Sequence, residues 1–275
     1  MRTRVLAMMG SFSLAMAVAG GTAFAQTSDS EWLAQCRDQG GRYERFCEVR
    51  QLDLGGAGLL RVDSRPNGGV QITGSDQGAI VGSARIQAQA ETEGEARTLA
   101  TQIQVGLIDG WLRADGPRSG DGRSWTVSFV ISAPRRIDVE VEAVNGPVSL
   151  DGLVGRIRAT TVNGPLSLRE LSGDVRARTT NGPLQVTLAG GSWDGEGLDA
   201  ETRNGPATLR VPEGYSAQLD AGTVNGPFHL GIPVALEDDP AAGRTRRSIQ
   251  TTIGSGGAPV RVHTTNGPVS IAHRN

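Results

Sequence analysis

The tripeptide Asn-Gly-Pro occurs six times in this chain of 275 residues, and it restricts the fold more than any other feature. Successive copies are separated by 18, 18, 23, 21 and 41 residues, and the last step is about twice the others. A period near twenty residues is typical of stacked repeat architectures. The copies begin at Asn145, Asn163, Asn181, Asn204, Asn225 and Asn266.

Apolar and polar residues alternate on both sides of every copy. In the third copy, for example, Val175 and Ala177 precede Asn181, and Leu184 and Val186 follow it. Thr stands two residues before Asn in all copies but the first. A period of two is the geometry of a strand with one buried face. The repeats therefore predict two short strands per copy, one on each side of the tripeptide.

The tripeptide itself predicts a corner between two sheets. Asn-Gly between alternating segments normally signals a two-residue hairpin. That turn closes through the N–H of the residue after Gly, and Pro has no N–H to donate. Pro is accepted as the first residue of a strand, and Gly can adopt the positive φ of a sharp corner. Each copy should therefore lead the chain from one sheet into another.

We accordingly predict an all-β, β-solenoid-like stack of repeats of about twenty residues, with parallel pairing between coils about 4.8 Å apart. The six Asn would then form a column of hydrogen-bonded amides, with a column of Thr inside it. This makes the Asn residues structural corners of the repeat and poor candidates for catalysis.

The residues five before each Asn are all charged and point outward in this scheme. If consecutive copies are neighbours, Glu140 faces Arg158, and Arg176 faces Asp199, with opposite charges stabilising each pair slightly. Asp199 and Asp220 then lie side by side. Paired carboxylates are the groups that polysaccharide-cleaving enzymes use. An ion-pair ladder is the simpler interpretation of the same residues.

The wide step between Asn225 and Asn266 predicts one further coil, with a strand at residues 249–253 and a corner at residues 254–257. Residues 237–247 interrupt the array with acidic residues followed by basic ones. This charged excursion is expected to be a solvated loop, and it is the second place to look for binding.

The N-terminus has the pattern of a secretory signal peptide over residues 1–25. Arg2 and Arg4 precede an apolar run at residues 5–18, and Ala23-Phe24-Ala25 supplies a cleavage site. The apolar run is too short to span a bilayer, and no later stretch is apolar enough to do so. The sequence therefore predicts export to the periplasm, the cell surface or the medium, with no membrane-spanning segment after signal removal.

Cys36 and Cys47 are the two cysteines, and in an exported protein they predict a disulfide. Closing a loop of this length would stabilise the fold by roughly 3 kcal/mol. Residues 26–50 are thus expected to form a disulfide-tied segment, a short helix or loop that covers one end of the repeat domain at residues 51–275. Within that domain, one helix is predicted at residues 91–104, with Thr92 as its N-cap.

The residues give no sign of a catalytic, metal or cofactor site. His229, His263 and His273 stand alone, and no recognised nucleophile, phosphate-binding or zinc motif is present. A net charge of −2 does not favour nucleic acid. Trp111, Trp125 and Trp193 are expected to pack at strand ends, with sugar stacking as the less favoured alternative.

Several segments resemble a bacterial exported β-strand-repeat family that is labelled "putative adhesin" and counted as a domain of unknown function. The resemblance covers most of the chain after the signal peptide and implies the repeat fold, but it supplies no catalytic residues. The Pro after each Asn-Gly departs from the usual pattern of that family. The resemblance rests on residues 47–50, 66–70, 162–168, 209–212, 253–257 and 264–267, and on Trp193 with Leu198.

Together these observations predict an exported, non-enzymatic interaction protein of the cell envelope or surface. Its partner would be an envelope component of unknown identity, either a glycan or a protein. The alternatives are a polysaccharide-active solenoid enzyme, with Asp199 and Asp220 as its carboxylates, and a scaffold or sensor in envelope-stress signalling.

Overall fold

The computed structural model describes residues 28–38, 42–233 and 247–274. The predicted signal peptide at residues 1–25 and the loop at residues 237–247, except Arg247, lie outside the described residues. In the described part, two ten-stranded sheets enclose one apolar core, and two short helices lie near one end. No described helix has the length and apolar character needed to cross a membrane.

Sheet I contains, in spatial order, β1 (Glu44–Gly55), β4 (Ile80–Ala90), β7 (Ser124–Pro134), β3 (Val70–Ser75), β9 (Val148–Asp151), β11 (Leu166–Arg169), β13 (Leu184–Thr187), β15 (Ala207–Val211), β20 (Val269–His273) and β17 (Phe228–Gly231). Sheet II contains β18 (Ser248–Ile253), β16 (Ala217–Asn225), β19 (Pro259–Asn266), β14 (Gly197–Asn204), β12 (Ser172–Asn181), β10 (Val154–Asn163), β8 (Asp138–Asn145), β2 (Leu59–Asp63), β6 (Trp111–Asp115) and β5 (Gln104–Ile108). The helices are α1 (Asp29–Asp38) and α2 (Glu93–Thr101).

Each Asn-Gly-Pro is a corner at which the chain leaves sheet II and enters sheet I. Strand β10, for example, ends at Asn163, and β11 begins at Leu166 in the other sheet. Neighbouring coils pair in parallel and in register, so that Asn163 lies opposite Asn145 on one side and Asn181 on the other. The prediction of corners and a parallel β-solenoid-like stack is confirmed.

The order of the coils in space differs from their order in the sequence. Strand β14 pairs with β19, and β19 pairs in turn with β16. The last copy therefore lies between the copies of Asn204 and Asn225, and the expectation that all consecutive copies are neighbours is wrong. The charges supply a physical reason, because sequence order would place Asp199 directly beside Asp220 and like charges opposite each other are destabilising.

The 41-residue step does not contain the predicted additional coil in the part that the structure describes. Strand β18 runs antiparallel to β16, with Ile249 opposite Ala221, and forms the edge of sheet II. The chain then reverses near Gly254 and returns as β19, which occupies the gap beside β14. A strand that pairs antiparallel cannot supply a corner to a parallel stack, so β18 and the turn after it are not the coil expected there.

The Thr column is buried between the sheets, where each hydroxyl bonds the coil beside it. Oγ1 of Thr179 donates to the carbonyl of Gly164 at 3.0 Å, and Thr161 does the same to Gly146 at 3.2 Å. Thr202, Thr223 and Thr264 repeat this bond at 2.8–2.9 Å. Buried hydroxyls need a partner, and the repeat provides one in each of the five copies that have Thr.

The two helices lie on opposite faces of the same end of sheet I. Leu99 and Ala100 of α2 join the core, and Thr92 and Glu95 form the capping box that the sequence predicts. Helix α1, where the sequence predicted either a short helix or a loop, lies on the outer face and is tied to β1 by the Cys36–Cys47 disulfide. Strand β1 crosses residue 50, so the N-terminal segment shares a continuous sheet with the repeats.

Candidate functional site on the outer face of sheet I

The outer face of sheet II is covered by ion pairs between neighbouring strands. Arg158 contacts Asp174 at 2.5 Å, and Arg178 contacts Glu201 at 3.0 Å and Asp199 at 3.6 Å. The hydrogen bond from Arg158 holds the pKa of Asp174 below its usual value, and the bond to Glu201 raises the pKa of Arg178. The charges of this face are therefore largely engaged with one another.

The carboxylates considered for catalysis belong to this network. Arg261 lies between Asp199 and Asp220, since it is opposite both of them in the sheet. Asp220 contacts Nε2 of His263 at 3.0 Å and Arg261 at 3.9 Å. The expectation that Asp199 and Asp220 are direct neighbours is thus wrong, and the inserted arginine removes the paired-carboxylate arrangement that suggested glycan cleavage.

Asp63 is the most deeply buried carboxylate of the outer face of sheet II, with a side chain 10% exposed. Its two oxygens accept hydrogen bonds from Arg65 at 2.8 and 2.7 Å. Burial by itself raises the pKa of Asp63, but the hydrogen bonds and charge of Arg65, together with the charge of Arg113, outweigh burial and lower it. A lowered pKa suits an ion pair that stabilises the fold, whereas a general acid needs a raised one.

We expect Asp63→Asn to lower the free energy of unfolding by roughly 1–2 kcal/mol at pH 7, because charged hydrogen bonds to Arg65 are lost. Because the pKa of Asp63 is lower in the folded state, the ionised carboxylate stabilises the fold at pH values above its unfolded-state pKa near 3.9. This stabilisation disappears as the pH falls through the folded-state pKa. The difference between variant and wild type should therefore shrink below about pH 4. Urea unfolding between pH 7 and pH 3 measures it, with the 84% exposed Asp109 as the matched Asp→Asn control. A pH-independent difference would contradict the ion-pair role.

The Asn column forms an uninterrupted hydrogen-bonded ladder at the corner between the sheets. Each side-chain amide donates to Oδ1 of the next Asn at 2.8–3.0 Å, which leaves little free capacity for a ligand. In spatial order the ladder contains Asn67, Asn145, Asn163, Asn181, Asn204, Asn266 and Asn225.

The outer face of sheet I carries a row of mainly uncharged polar residues, which we call the neutral row. It crosses all ten strands, a distance of about 43 Å at nine spacings of about 4.8 Å. Six central members, from Gln71 to Ser270, have half-exposed side chains without a hydrogen-bond partner among the described residues. In spatial order the row contains Gln51, Ser83, Val130, Gln71, Ser149, Ser167, Gln185, Thr208, Ser270 and His229.

The neutral row therefore differs from the outer face of sheet II in its available bonding capacity. Hydroxyl and amide side chains can both donate and accept hydrogen bonds. The six corner prolines, from Pro147 to Pro268, flank the row on one side and form a rigid apolar border. A flat surface of this composition can bind a polar, uncharged partner over several coils.

Helix α1 is clamped against this face at both of its ends. At its start, Asp29 accepts hydrogen bonds from Ser83 and Arg85 at 2.9 Å and from Gln51 at 3.2 Å. Burial raises the pKa of Asp29, but these hydrogen bonds outweigh burial and lower it. At the other end, the disulfide joins Cys36 to β1. The helix is thus fixed in position on the sheet.

A cleft of about 200 Å³ lies between α1 and the sheet, beside Val130, Gln71 and Ser149 of the neutral row. Its lining includes Trp32 from the helix and Gln71, Ser128 and Ser149 from three adjacent strands. The guanidinium of Arg85 lies 5.8 Å from the centre of the Trp32 ring. A larger, more open hollow of about 690 Å³ shares Gln71, Arg85 and Val130 with the cleft.

The sequence did not single out the residues of this cleft. Trp32 belongs to the segment at residues 26–50 that was expected to cover one end of the repeats, and Gln71 and Ser149 are polar positions of alternating strands. The repeat alignment contained a usable signal, because the position four after Asn is Ser, Gln or Thr in every copy but the fifth, where it is His229. The position of α1 above that row had no signal in the sequence.

The other sequence-predicted residues do not converge with the cleft. Trp125 and Trp193 are buried, and their indole N–H groups donate to the carbonyls of Pro117 and Gly173. Trp111 lies under Arg61 on the outer face of sheet II. His229 is exposed at the last strand of sheet I. Among the residues that the structure describes, no group of three or more His, Cys, Asp or Glu could hold a metal ion.

A two-sheet parallel stack with corner ladders defines a β-repeat protein of the solenoid class. The chain belongs to the family described as Toastrack DUF4097, whose model matches residues 119–272. No curated protein matches the chain.

Several solved structures are similar to this chain, and three of them, all from bacteria, are described here. A "putative cell adhesion protein" from Clostridium sporogenes is 12% identical, with a TM-score of 0.44, and the match covers 84% of this chain and 100% of that chain. A "putative adhesin" from Bacteroides fragilis is 13% identical, with a TM-score of 0.41 and coverage of 82% and 97%. A "putative lipid binding protein" from Parabacteroides distasonis is 9% identical, with a TM-score of 0.34 and coverage of 82% and 96%.

Proposed function

We propose that this protein is an exported, non-enzymatic interaction protein that binds a component of the cell envelope or cell surface along the neutral row. The observation that carries the proposal is the contrast between the neutral row and the outer face of sheet II. The side chains of sheet II are engaged in ion pairs, whereas six consecutive polar positions of sheet I keep their hydrogen-bonding groups available. A long row of unpaired donors and acceptors suits an extended partner.

The disulfide supports the exported location, because disulfides persist mainly in oxidising compartments outside the cytoplasm. The separation of Asp199 from Asp220 by Arg261 supports a binding role over glycan cleavage. The partner is a polar envelope component, and the flat shape of the sheet favours a polymer or a protein surface over a small enclosed ligand.

The test measures binding of the mature protein to envelope glycans, purified peptidoglycan and whole cells. We expect the double variant Ser167→Arg with Thr208→Arg to weaken binding about tenfold or more, because two bulky charges would interrupt the neutral row. The matched control, Thr160→Arg with Thr180→Arg, places the same charges on the outer face of sheet II. Equal binding by both double variants, or turnover of a glycan by the wild type, would overturn the proposal. Circular dichroism and melting temperature establish that each variant is folded.

A further inference from the structure

The cleft beneath α1 has the composition of a site for a neutral sugar. We propose that it holds one ring of a neutral saccharide, with Trp32 as the stacking wall and with Gln71 and Ser149 as hydrogen-bonding partners. This inference rests on the proposed function, since it assigns the ligand class and the anchoring point of the same face.

The charge of the cleft selects against ionic ligands. Arg85 is the only charged residue among the described residues that line the cleft, and Asp29 neutralises it through an ion pair of 2.9 Å. An anion would have to compete with that carboxylate, which Ser83 and Gln51 also hold in place. A cation would meet the guanidinium. The charge balance therefore favours an uncharged ligand.

The polar groups of the cleft select against a purely apolar ligand. The amide of Gln71 and the hydroxyl of Ser149 have no hydrogen-bond partner among the described residues. Covering them with an acyl chain would remove water from both groups without replacing its hydrogen bonds, which is unfavourable. Hydroxyl groups of a sugar can donate to and accept from both side chains.

The aromatic side chain and the volume of the cleft also fit a single sugar ring. The indole of Trp32 offers an apolar surface, as the carbon–hydrogen face of a sugar ring requires. The volume of about 200 Å³ is below the roughly 300–1,000 Å³ of sites for drug-sized ligands, so it suits a single ring. Ser149 also belongs to the neutral row, so further sugar units of a chain can follow Ser167 and Gln185 along the sheet.

The experiment titrates the disulfide-intact mature protein with neutral monosaccharides and their linear oligomers, including glucose, galactose, mannose and N-acetylglucosamine. Binding is followed by calorimetry and by intrinsic tryptophan fluorescence. We expect longer oligomers to bind more tightly, and we expect Trp32→Ala to weaken binding about tenfold or more. The control Trp111→Ala removes the half-exposed tryptophan of sheet II and should leave saccharide binding unchanged.

Because Trp32→Ala also removes a contact between α1 and the sheet, a second pair of variants tests the cleft from the sheet side. Ser149→Arg would fill the cleft from the sheet side, whereas Ser270→Arg places the same side chain in the same row four strands away. We expect only Ser149→Arg to abolish monosaccharide binding. Saccharide binding that survives both Trp32→Ala and Ser149→Arg would overturn the assignment to the cleft.

The outcomes separate this inference from the proposed function. Absence of binding to every neutral saccharide, with envelope binding still sensitive to Ser167→Arg and Thr208→Arg, would overturn the sugar site alone. If a peptide, but none of the sugars, competes with envelope binding, the sugar site alone is overturned and the partner is a protein. If the wild type binds neither neutral saccharides nor envelope components, both proposals are overturned.

Discussion

Gly164→Ala is expected to destabilise the protein by about 3–5 kcal/mol, because the corners of successive coils leave no room for a Cβ atom. A Cβ atom built on Gly164 would lie 2.1 Å from the carbonyl oxygen of Gly146 in the neighbouring coil. The obstacle is backbone, so no side-chain rotation can relieve it. Moving these two coils apart would also strain the bond between them, from the Gly146 N–H to the carbonyl of Asn163, now 3.1 Å.

Denaturant unfolding of wild type and variant measures this effect as a shift of the midpoint at constant slope. Gly191→Ala is the matched control, since a Cβ atom there meets nothing within 4 Å and the residue does not have a left-handed φ. It should change the stability by no more than about 0.5 kcal/mol. A Gly164→Ala protein as stable as the control would show that the coils are not packed as closely at the corner as the structure has them.

Leu168→Ala is expected to lower the free energy of unfolding by about 3 kcal/mol, through lost burial and an unfilled cavity. The side chain of Leu168 is 2% exposed and lies in the middle of the stack, between Leu150 and Val186 of the neighbouring coils. Because coils on both sides fix its surroundings, the core cannot readily collapse into the space.

Leu230→Ala provides the same substitution at the equivalent position of the last strand of sheet I. Leu230 has a described neighbour only on one side, Ile271, and is half-exposed. We expect it to cost about 1–1.5 kcal/mol, because less apolar area is lost from the core. Thermal or urea unfolding of both variants gives the comparison, and equal losses at the two positions would argue against a stack whose packing weakens toward that end.

The last copy of the repeat lies inside the stack and not at its edge. Strand β19 pairs with β14 on one side and β16 on the other, so the C-terminal residues of the chain occupy an internal position of the stack. Its Arg261 faces an aspartate on each side, Asp199 and Asp220. The two aspartates, which suggested catalysis from the sequence, thus have the charge opposite to Arg261 and favour the position of β19 between β14 and β16.

The repeat alignment predicted much of the fold because alternation and corner chemistry are local properties. Pro after Asn-Gly excludes the hairpin whatever surrounds it, and the Thr and apolar columns follow from the strand period. The alignment could not give the spatial order, since parallel pairing of any two copies satisfies the same pattern. It also did not reveal the site, because Trp32 lies 117 residues from Ser149 in the sequence and meets it only through the disulfide-tied helix.

The sequence by itself determined the kind of protein: a parallel β-repeat stack with Asn corners, an internal Thr column and a cysteine pair suited to an oxidising compartment. The Asn corner recurs in every copy, the Thr position in five of the six, and the two cysteines lie 11 residues apart, so local sequence is enough to specify these properties. Only the tertiary structure decided which copies are neighbours, which outer face keeps its polar groups unpaired, and where α1 forms a cleft. Those features depend on contacts between residues far apart in the chain, and their energies are set by charge pairing and packing that no single repeat contains.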